Sequence, residues 1–474
     1  MRVRSIRYGL LVCLAACATG ALAPRARAQE INEDEAVLSP ATAQPRRGQR
    51  ILDAAAEAAL FVPLEPARRV SYAQVLEHPD DVELNFRWAQ TQVDDGALTG
   101  AAGTLERILL LQPDLPRVRM LYGAVLFRLG NLAEADREFA RLELEGRPGD
   151  RERVAEYRKR IRRASRSTHT TASFTAGTQH DTNRNTAPES GNVLIGDIPF
   201  SLSSSNDKDG DGGWYSLLDL HMERELGYQE DRRLIAGASY YHSQQNDLDS
   251  YDVQAWNGEL GLRMRQSEGS FQPRLYASIV DLSREKYLRA FGLELALTHT
   301  LGKTSSLWGH VRLQNENFSA ISEVPTASDR TGLRGEARFG ASFGLAPRRR
   351  LDIDAALVNK SANEDFQAYL GPELGISHLW IQRCGTFAIA ELRATSEDYK
   401  HNQNLISGST RRDLRTRGRL AFGVPLALVF GEDSAVADAV LSLTGELVLV
   451  DSNLPNFEYR NRRLGVSLSK RLEF

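Results

Sequence analysis

The chain ends with the stretch Leu464-Gly465-Val466-Ser467-Leu468-Ser469-Lys470-Arg471-Leu472-Glu473-Phe474, in which one parity is mostly apolar and the last residue is aromatic. Alternation with a period of two predicts a β-strand whose two faces meet different surroundings. The pattern recurs upstream, where Leu441, Leu443, Leu447 and Leu449 alternate with Ser442, Thr444 and Glu446. It continues back to about residue 169, so the last 300 or so residues are predicted to be strands of this kind.

We count about fourteen such strands, centred near Phe174, Leu220, Ala238, Leu260, Leu275, Leu295, Val311, Phe339, Ala355, Leu374, Ala390, Leu420, Leu443 and Leu468. Many run to about ten residues, the length that a tilted strand needs to cross a bilayer. Strands of a soluble β-sandwich, the alternative, average five or six. The sequence therefore favours an antiparallel transmembrane β-barrel over residues 169–474, although Pro273, Pro372 and Pro425 weaken the prediction for three strands.

The lengths of the connections predict how the barrel lies in its membrane. Short turns are predicted at 227–231, 267–270, 302–305, 347–349, 383–385 and 431–434, and longer connections at 181–213, 319–328 and 398–410. Outer-membrane barrels have short periplasmic turns and long external loops. The first strand is therefore expected to run outward, and an even number of strands returns Phe474 to the periplasm.

Residues 1–28 have the layout of a secretory signal peptide. Three arginines precede an apolar run, and Ala26-Arg27-Ala28 precedes the predicted cleavage before Gln29. An alternative is a lipobox at Leu14-Ala15-Ala16-Cys17, which would place a lipid on Cys17. Removal of residues 1–28 takes away five arginines and no acid, so the formal charge falls from −3 to −8. Such a chain is not expected to bind nucleic acid.

Residues 29–50 are predicted to be a flexible leader, and residues 51–165 a helical domain with an internal repeat. Pairs of similar residues lie 34 positions apart: Pro79 and Pro113, Ala89 and Gly123, Gly96 and Gly130, Leu98 and Leu132, Ala101 and Ala135, Leu105 and Phe139, and Ile108 and Leu142. This is the tetratricopeptide period, and the basic segment 151–164 fits the polar cap of such a stack. The fold class is thus a short tetratricopeptide-like domain followed by a 14-strand membrane barrel, with the repeats in the periplasm.

Strand parity places many charged residues on the inner face of the barrel: Asp219, Glu223, Glu259, Arg263, Glu294, Arg312, Arg334, Glu336, Arg338, Asp352, Asp354, Arg415, Arg417, Arg419 and Glu446. A hydrated lumen explains them without a specific function. The basic ladder Arg415, Arg417 and Arg419 is the best candidate for holding an acidic segment in transit.

Neither catalysis nor a firmly bound cofactor is predicted. The pattern Gly340-Ala341-Ser342-Phe343-Gly344 resembles a nucleophile elbow but lies inside an alternating strand, so we interpret it as coincidence. Asp207, Asp209 and Asp211, followed by Gly212, match the start of a calcium loop. The match is partial because Leu218 stands where a bidentate Glu is needed, and an acidic, Gly-rich outer loop is the alternative.

Directly after the first strand, Asp181, Asn183, Asn185, Ala187 and Pro188 form an Asp-x-Asn-x-Asn-x-Ala-Pro segment. In this segment and in its architecture, the chain resembles the surface lipoprotein assembly modulators, the Slam family of outer-membrane translocators. At the other end, Leu468, Leu472 and Phe474 match the signal that the barrel assembly machinery recognises. Lys470 departs from that signal, and we expect its amine to reach the membrane interface.

The resemblance implies a translocator that moves surface lipoproteins, or related secreted proteins, from the periplasm to the surface of a Gram-negative bacterium. The repeats would receive the client or a periplasmic chaperone. A lateral gate would form where the first and last strands meet, around Phe174 and Leu468. The alternatives are a polysaccharide export porin with tetratricopeptide repeats, a general outer-membrane pore, and a barrel lipase, which would need a Ser and a His together on the lipid face.

Overall fold

The computed structural model describes residues 70–145, 148–165, 167–201, 208–227, 231–266, 268–302, 304–431 and 434–474. The predicted signal peptide at 1–28, the leader at 29–50 and residues 51–69 of the predicted helical domain lie outside this part of the chain. So does Asp207, the first residue of the predicted calcium loop.

The helical domain consists of α1 (Tyr72–Glu77), α2 (Val82–Asp94), α3 (Leu98–Leu111), α4 (Pro116–Arg128), α5 (Leu132–Glu145) and α6 (Pro148–Ala164). The Asp81 carboxylate caps α2 by accepting a hydrogen bond from Leu84 N at 3.0 Å. Gly96 and Gly130, both with positive φ, form the turns before α3 and α5. The helix pair α2 and α3 is thus followed by the pair α4 and α5 at the 34-residue interval seen in the sequence.

Small residues allow these helices to pack closely. Ala89, Ala101 and Ala135 are fully buried in the core of the helical domain. A Cβ atom on Gly123 would lie 2.9 Å from the Phe139 ring, so only glycine fits where α4 crosses α5. The alanine and glycine positions within the helices that share the 34-residue spacing are therefore ones at which the helices meet.

The strands of the barrel are β1 (Thr168–Asp181), β4 (Asp211–Glu225), β5 (Arg232–Gln245), β6 (Val253–Gln266), β7 (Gly269–Leu282), β8 (Glu285–Leu301), β9 (Ser305–Phe318), β10 (Gly332–Ala346), β11 (Arg349–Lys360), β12 (Tyr369–Ile381), β13 (Phe387–Tyr399), β14 (Arg412–Pro425), β15 (Ala439–Ser452) and β16 (Tyr459–Glu473). Each pairs with its neighbour in antiparallel register, and β1 closes the barrel by pairing with both β4 and β16. The prediction of a 14-strand antiparallel barrel is confirmed, and each predicted centre falls in a separate strand.

The three prolines lie within strands, as the alternation predicted. Pro273 is opposite Leu295, Pro372 is opposite Leu357, and Pro425 is the last residue of β14. Between β12 and β13 the register has no paired residues at Gly371 and Pro372, the local interruption expected where a proline has no N–H to donate to the ladder.

The long connections lie at one end of the barrel, and the first of them carries a small hairpin, β2 (Asn192–Ile195) and β3 (Ile198–Ser201). One connection at this end departs from the alternation, because β7 and β8 are joined by only Ser283 and Arg284, both with positive φ. At the other end, Ser434 N donates to Gly431 O at 3.4 Å across the predicted turn at 431–434, whose residues 432 and 433 lie outside the described residues, but the whole connection is longer than predicted. β14 ends at Pro425, and a short helix, α7 (Ala427–Phe430), precedes β15, since Phe430 N donates to Leu426 O at 2.9 Å.

The outer face of the barrel is apolar and exposed. Phe174, Leu295, Phe339, Leu374 and Leu420 all leave much of their side chain open on this face. A continuous apolar belt around a closed barrel is stable in the hydrocarbon of a bilayer, where the closed sheet also satisfies its own backbone. Among the described residues no helix is long and apolar enough to cross a membrane.

The helical domain lies against the end of the barrel that carries the short turns. A Cβ atom on Gly96 would lie 3.7 Å from Pro347, in the turn between β10 and β11. Helix α6 leads directly into β1, and Phe474 N donates to Thr170 O at 2.8 Å, so the C-terminus is at this end as well.

Candidate functional site

The residues Asp181–Pro188 that carry the family resemblance lie inside the mouth of the barrel, at the end of β1 where the long connections are; we call this the outer end. Asp181 and Asn183 are fully buried, and Arg184, Thr186 and Ala187 are nearly so. A polar connection buried this deeply depends on hydrogen bonds within the protein. Asp181 Oδ2 and Arg184 Nη1 have no hydrogen-bond partner and face each other as an ion pair at 3.7 Å. Most of the hydrogen bonds lead to β16, so we call the pairing of β1 with β16 the seam.

The Asp181 carboxylate binds two side chains of the last strand. Its Oδ1 accepts hydrogen bonds from Arg463 Nε and from Asn461 Nδ2, each at 2.8 Å. Arg463 also forms an ion pair with Glu446 on β15, with 3.5 Å between Nη1 and Oε1. Because the carboxylate is fully buried and the guanidinium nearly so, each charge depends on the other for its solvation.

Asn183 makes the turn that follows β1. Its Oδ1 accepts from Ala187 N at 2.9 Å, while its Nδ2 donates to Ala187 O at 2.8 Å and to Arg460 O at 3.3 Å. Its backbone N–H donates to Asn461 Oδ1 at 3.1 Å. Thr186 has a φ of +51°, which this closed turn imposes on it. The motif therefore folds on itself and at the same time attaches β1 to β16.

Asn185 attaches the motif to the rest of the first long connection. Its Oδ1 accepts from Asp209 N at 3.1 Å, and Arg184 N donates to Asp209 O at 2.7 Å. Asp211, at the start of β4, uses its carboxylate to accept from Asp247 N and Leu248 N. Asp211 is thus committed to backbone amides of the neighbouring loop.

These contacts bear on the predicted calcium loop. No cluster of three potential metal ligands occurs in the described residues, which do not include Asp207. Burial, with the nearby Asp211 and Asp247 carboxylates, raises the pKa of Asp209. The calcium site stays a prediction.

The charged residues assigned to the lumen lie on the face opposite to the exposed apolar side chains, and many form ion pairs. Arg263 binds Glu223 at 2.7 Å, Arg312 binds Glu294 at 2.8 Å, Arg338 binds Glu336 at 3.0 Å, and Arg393 binds Asp354 at 3.1 Å. Charges that are paired in this way can be tolerated at low exposure in the barrel interior.

The predicted basic ladder is part of this network. Arg415 lies 3.3 Å from Glu397 and Arg419 lies 3.2 Å from Glu391, and Arg417 also has an interaction partner. An acidic segment in transit would have to displace these carboxylates, so the structure favours the ladder as part of the barrel wall.

Apolar side chains line the lumen at both ends. At the outer end a buried cluster includes Tyr241, Tyr251, Val280, Tyr287, Phe318 and Ile321. At the short-turn end a second cluster is formed by Leu379, Ile381, Phe387, Ile389, Ala421 and Val440. Ser342 of the predicted nucleophile-elbow pattern lies within β10, opposite Asp352, and not at a turn from strand to helix.

At the C-terminus, Leu468, Leu472 and Phe474 are exposed on the outer face, and their role as an insertion signal stays a prediction. Lys470 has the same parity, and its Nζ donates to Ala435 O at 3.0 Å in the connection before β15. The amine thus finds its partner in a turn of the same chain.

Sequence reasoning missed Asn461 and Arg463 on β16, the principal partners of Asp181. Both are on the inward parity of the last strand, which was a detectable signal. Their pairing with Asp181 was not, because about 280 residues separate the two segments.

No protein-family model and no curated protein matches the chain. Among solved structures it is similar to the outer membrane protein OprD from Pseudomonas aeruginosa, with a TM-score of 0.34 and 9% identity over 65% of this chain and 94% of that one. It is also similar to OccAB4 of Acinetobacter baumannii, with a TM-score of 0.32 and 8% identity over 64% and 98% of the two chains. Similarity at this level assigns no function, and membership of the Slam family stays a prediction.

The change Asp181→Ala should destabilise the barrel by about 3 to 5 kcal/mol, because it removes the nearer of the two carboxylates that pair with Arg463 and the carboxylate 3.7 Å from the fully buried Arg184. Samples heated in SDS to a series of temperatures are run on a gel, and the temperature at which the compact form is lost measures this effect. The control is Asp398→Ala, which removes an exposed partner of Arg412 at 3.7 Å and should cost no more than about 1 kcal/mol. Equal effects of the two changes would contradict a structural role for the motif.

Proposed function

We propose that the protein is an outer-membrane translocator that moves surface lipoproteins, or related secreted proteins, from the periplasm to the cell surface. The observation that carries the proposal is the position of the motif Asp181–Pro188. The segment that resembles the translocator family is buried at the outer end of the seam, where it ties the first strand to the last.

A barrel can close without the side-chain hydrogen bonds that this motif adds between the first and last strands. The backbone ladder already joins β1 to β16, from the pair Thr171 and Glu473 to the pair Asp181 and Arg463. The additional bonds of Asp181 and Asn183 reach one end of this seam, while the other end continues into the helical domain. This arrangement suits a seam that stays closed at rest and opens under control, with the motif as its outer latch.

The helical domain supplies the second part of the proposal. It lies against the short-turn end, which faces the periplasm in an outer-membrane barrel. Stacks of helical repeats present extended surfaces to other proteins. A client, or a chaperone that delivers it, would dock here before entering the barrel, and the barrel assembly machinery would insert the protein through its C-terminal strand.

A general outer-membrane pore is the second candidate, with a polysaccharide export porin as a variant of it. The charged residues on the inner face favour a pore. A barrel of 14 strands is wider than the small barrels that side chains fill, though narrower than the open porins. Ion pairs and two apolar clusters occupy much of the inner wall, however, and neither reading assigns a role to the motif at the seam.

Deletion of the gene should remove one or more surface lipoproteins from the protease-accessible outer surface of intact cells, because their passage would be lost. Protease shaving followed by mass spectrometry of the released peptides measures this, with complementation by the wild-type gene as the control. The client should still be made and should become accessible when the outer membrane is permeabilised. If every surface lipoprotein stays accessible while solute or polysaccharide flux falls, the translocator proposal is wrong and the pore is supported.

A disulfide across the seam should block export, because the gate could no longer open. Thr175 of β1 and Ser469 of β16 are suited to it, since their hydroxyl oxygens are 2.9 Å apart on the buried inner face. The variant Thr175→Cys/Ser469→Cys, made with Cys384→Ser to remove the exposed thiol in the turn after β12, should lose surface display when oxidised and regain it on reduction.

The matched control joins the neighbouring strand pair. Ser442 of β15 is directly opposite Ser467 of β16, so Ser442→Cys/Ser467→Cys gives a disulfide on the same strand without closing the seam. Export by this variant should equal that of the wild type. Full export by the oxidised seam variant would rule out the gate but would leave translocation through the lumen to be judged by protease shaving.

A further inference from the structure

The outer face of β16 ends in two arginines. Starting from Phe474, the outward parity passes through Leu472, Lys470, Leu468, Val466 and Leu464, and then reaches Arg462 and Arg460. Residues 464–474 have about the length that a tilted strand needs to cross the hydrocarbon. The two arginines therefore lie at the outer boundary of the bilayer, where lipid headgroups begin.

Both arginine side chains are exposed, and neither makes an ion pair or hydrogen bond with any other described residue. The residues opposite them on β15 are Leu449 and Leu447, so no carboxylate faces them across that strand pair. Elsewhere at this rim, Arg412 has the Asp398 carboxylate at 3.7 Å. Two guanidinium groups without a direct ion-pair partner therefore project side by side from one strand, about 7 Å apart from the rise per residue.

The motif of the seam holds the backbone of this arginine pair in place. Thr182 N donates to Arg462 O at 2.9 Å, and Arg462 N donates to Thr182 Oγ1 at 3.0 Å. The side-chain amide of Asn183 donates from Nδ2 to Arg460 O at 3.3 Å. The backbone is thus fixed from the β1 side, while the side chains remain free to bind a ligand.

We propose that Arg460 and Arg462 bind the phosphate groups of lipid A, the phosphorylated glycolipid of the outer leaflet. Guanidinium groups bind phosphate with paired, charge-assisted hydrogen bonds, and the adjoining leucines offer an apolar surface to the acyl chains. Since the pair lies at the outer end of β16 only, its ligand belongs to the outer leaflet. The inference rests on the proposed outer-membrane location, and it places a lipid site beside the seam.

Titration of the purified full-length protein in detergent with fluorescent lipid A tests the site. The double variant Arg460→Gln/Arg462→Gln should bind at least about tenfold more weakly, as expected for the loss of hydrogen bonds between charged groups. The control Arg224→Gln removes an exposed, outward-facing arginine at the short-turn end of β4, and should bind as the wild type does. Retention of the compact form on an unheated SDS gel shows that each variant is folded.

The wild type should discriminate against dephosphorylated lipid A and phosphatidylglycerol, and millimolar inorganic phosphate should compete only weakly. Equal binding by the double variant would overturn the site. Equal binding of dephosphorylated lipid A would overturn the role of the phosphates, and equal binding of phosphatidylglycerol would overturn the assignment to lipid A. This assay involves no client, so its failure leaves the protease-shaving result intact.

Discussion

The closure of the sheet between β1 and β16 is the constraint on which the rest of the barrel depends. In hydrocarbon an unpaired strand edge leaves a row of amide and carbonyl groups without partners, and each such group is costly. Eleven residue pairs between β1 and β16 remove this edge, the first being Thr171 with Glu473 and the last Asp181 with Arg463. Since the two strands come from opposite ends of the domain, the barrel closes only when nearly all of its chain is present.

The outer end of this closure carries more than backbone bonds. Asp181 and Arg463 form a buried ion pair, and Asn183 and Asn461 connect the turn after β1 to the last strand. Separating a buried ion pair leaves each charge without its partner, so these residues make the seam hard to open at the end that carries the long connections. The motif, the arginine pair at the outer boundary and the proposed gate are therefore parts of one region.

Most of the fold could be predicted from the sequence, because the period-two pattern is local. Every predicted centre lies in its own strand, including the three strands with prolines, and the inward parity of the charged residues is correct. The failures came where local pattern is weak. The connection before β15 contains α7, in which Phe430 N donates to Leu426 O and Gly431 N to Ala427 O. The two-residue turn at Ser283 and Arg284 broke the expected alternation of lengths.

The site was only half predictable. The segment Asp181–Pro188 was found through its resemblance to a family, but what it contacts depends on bringing the first strand beside the last. The partners Asn461 and Arg463, and the use of Lys470 to bind a turn, follow from that long-range contact. A periodic pattern cannot express such contacts, because it assigns each residue to a face and not to a partner.

The central claim is a closed barrel with an apolar exterior, and its dependence on detergent tests it most directly. Size-exclusion chromatography with light scattering should show the mature protein as one species in detergent micelles or lipid nanodiscs, and as aggregate once the detergent is removed. A single folded species of constant mass in plain buffer would contradict the barrel in the membrane, and with it the transport function proposed for it.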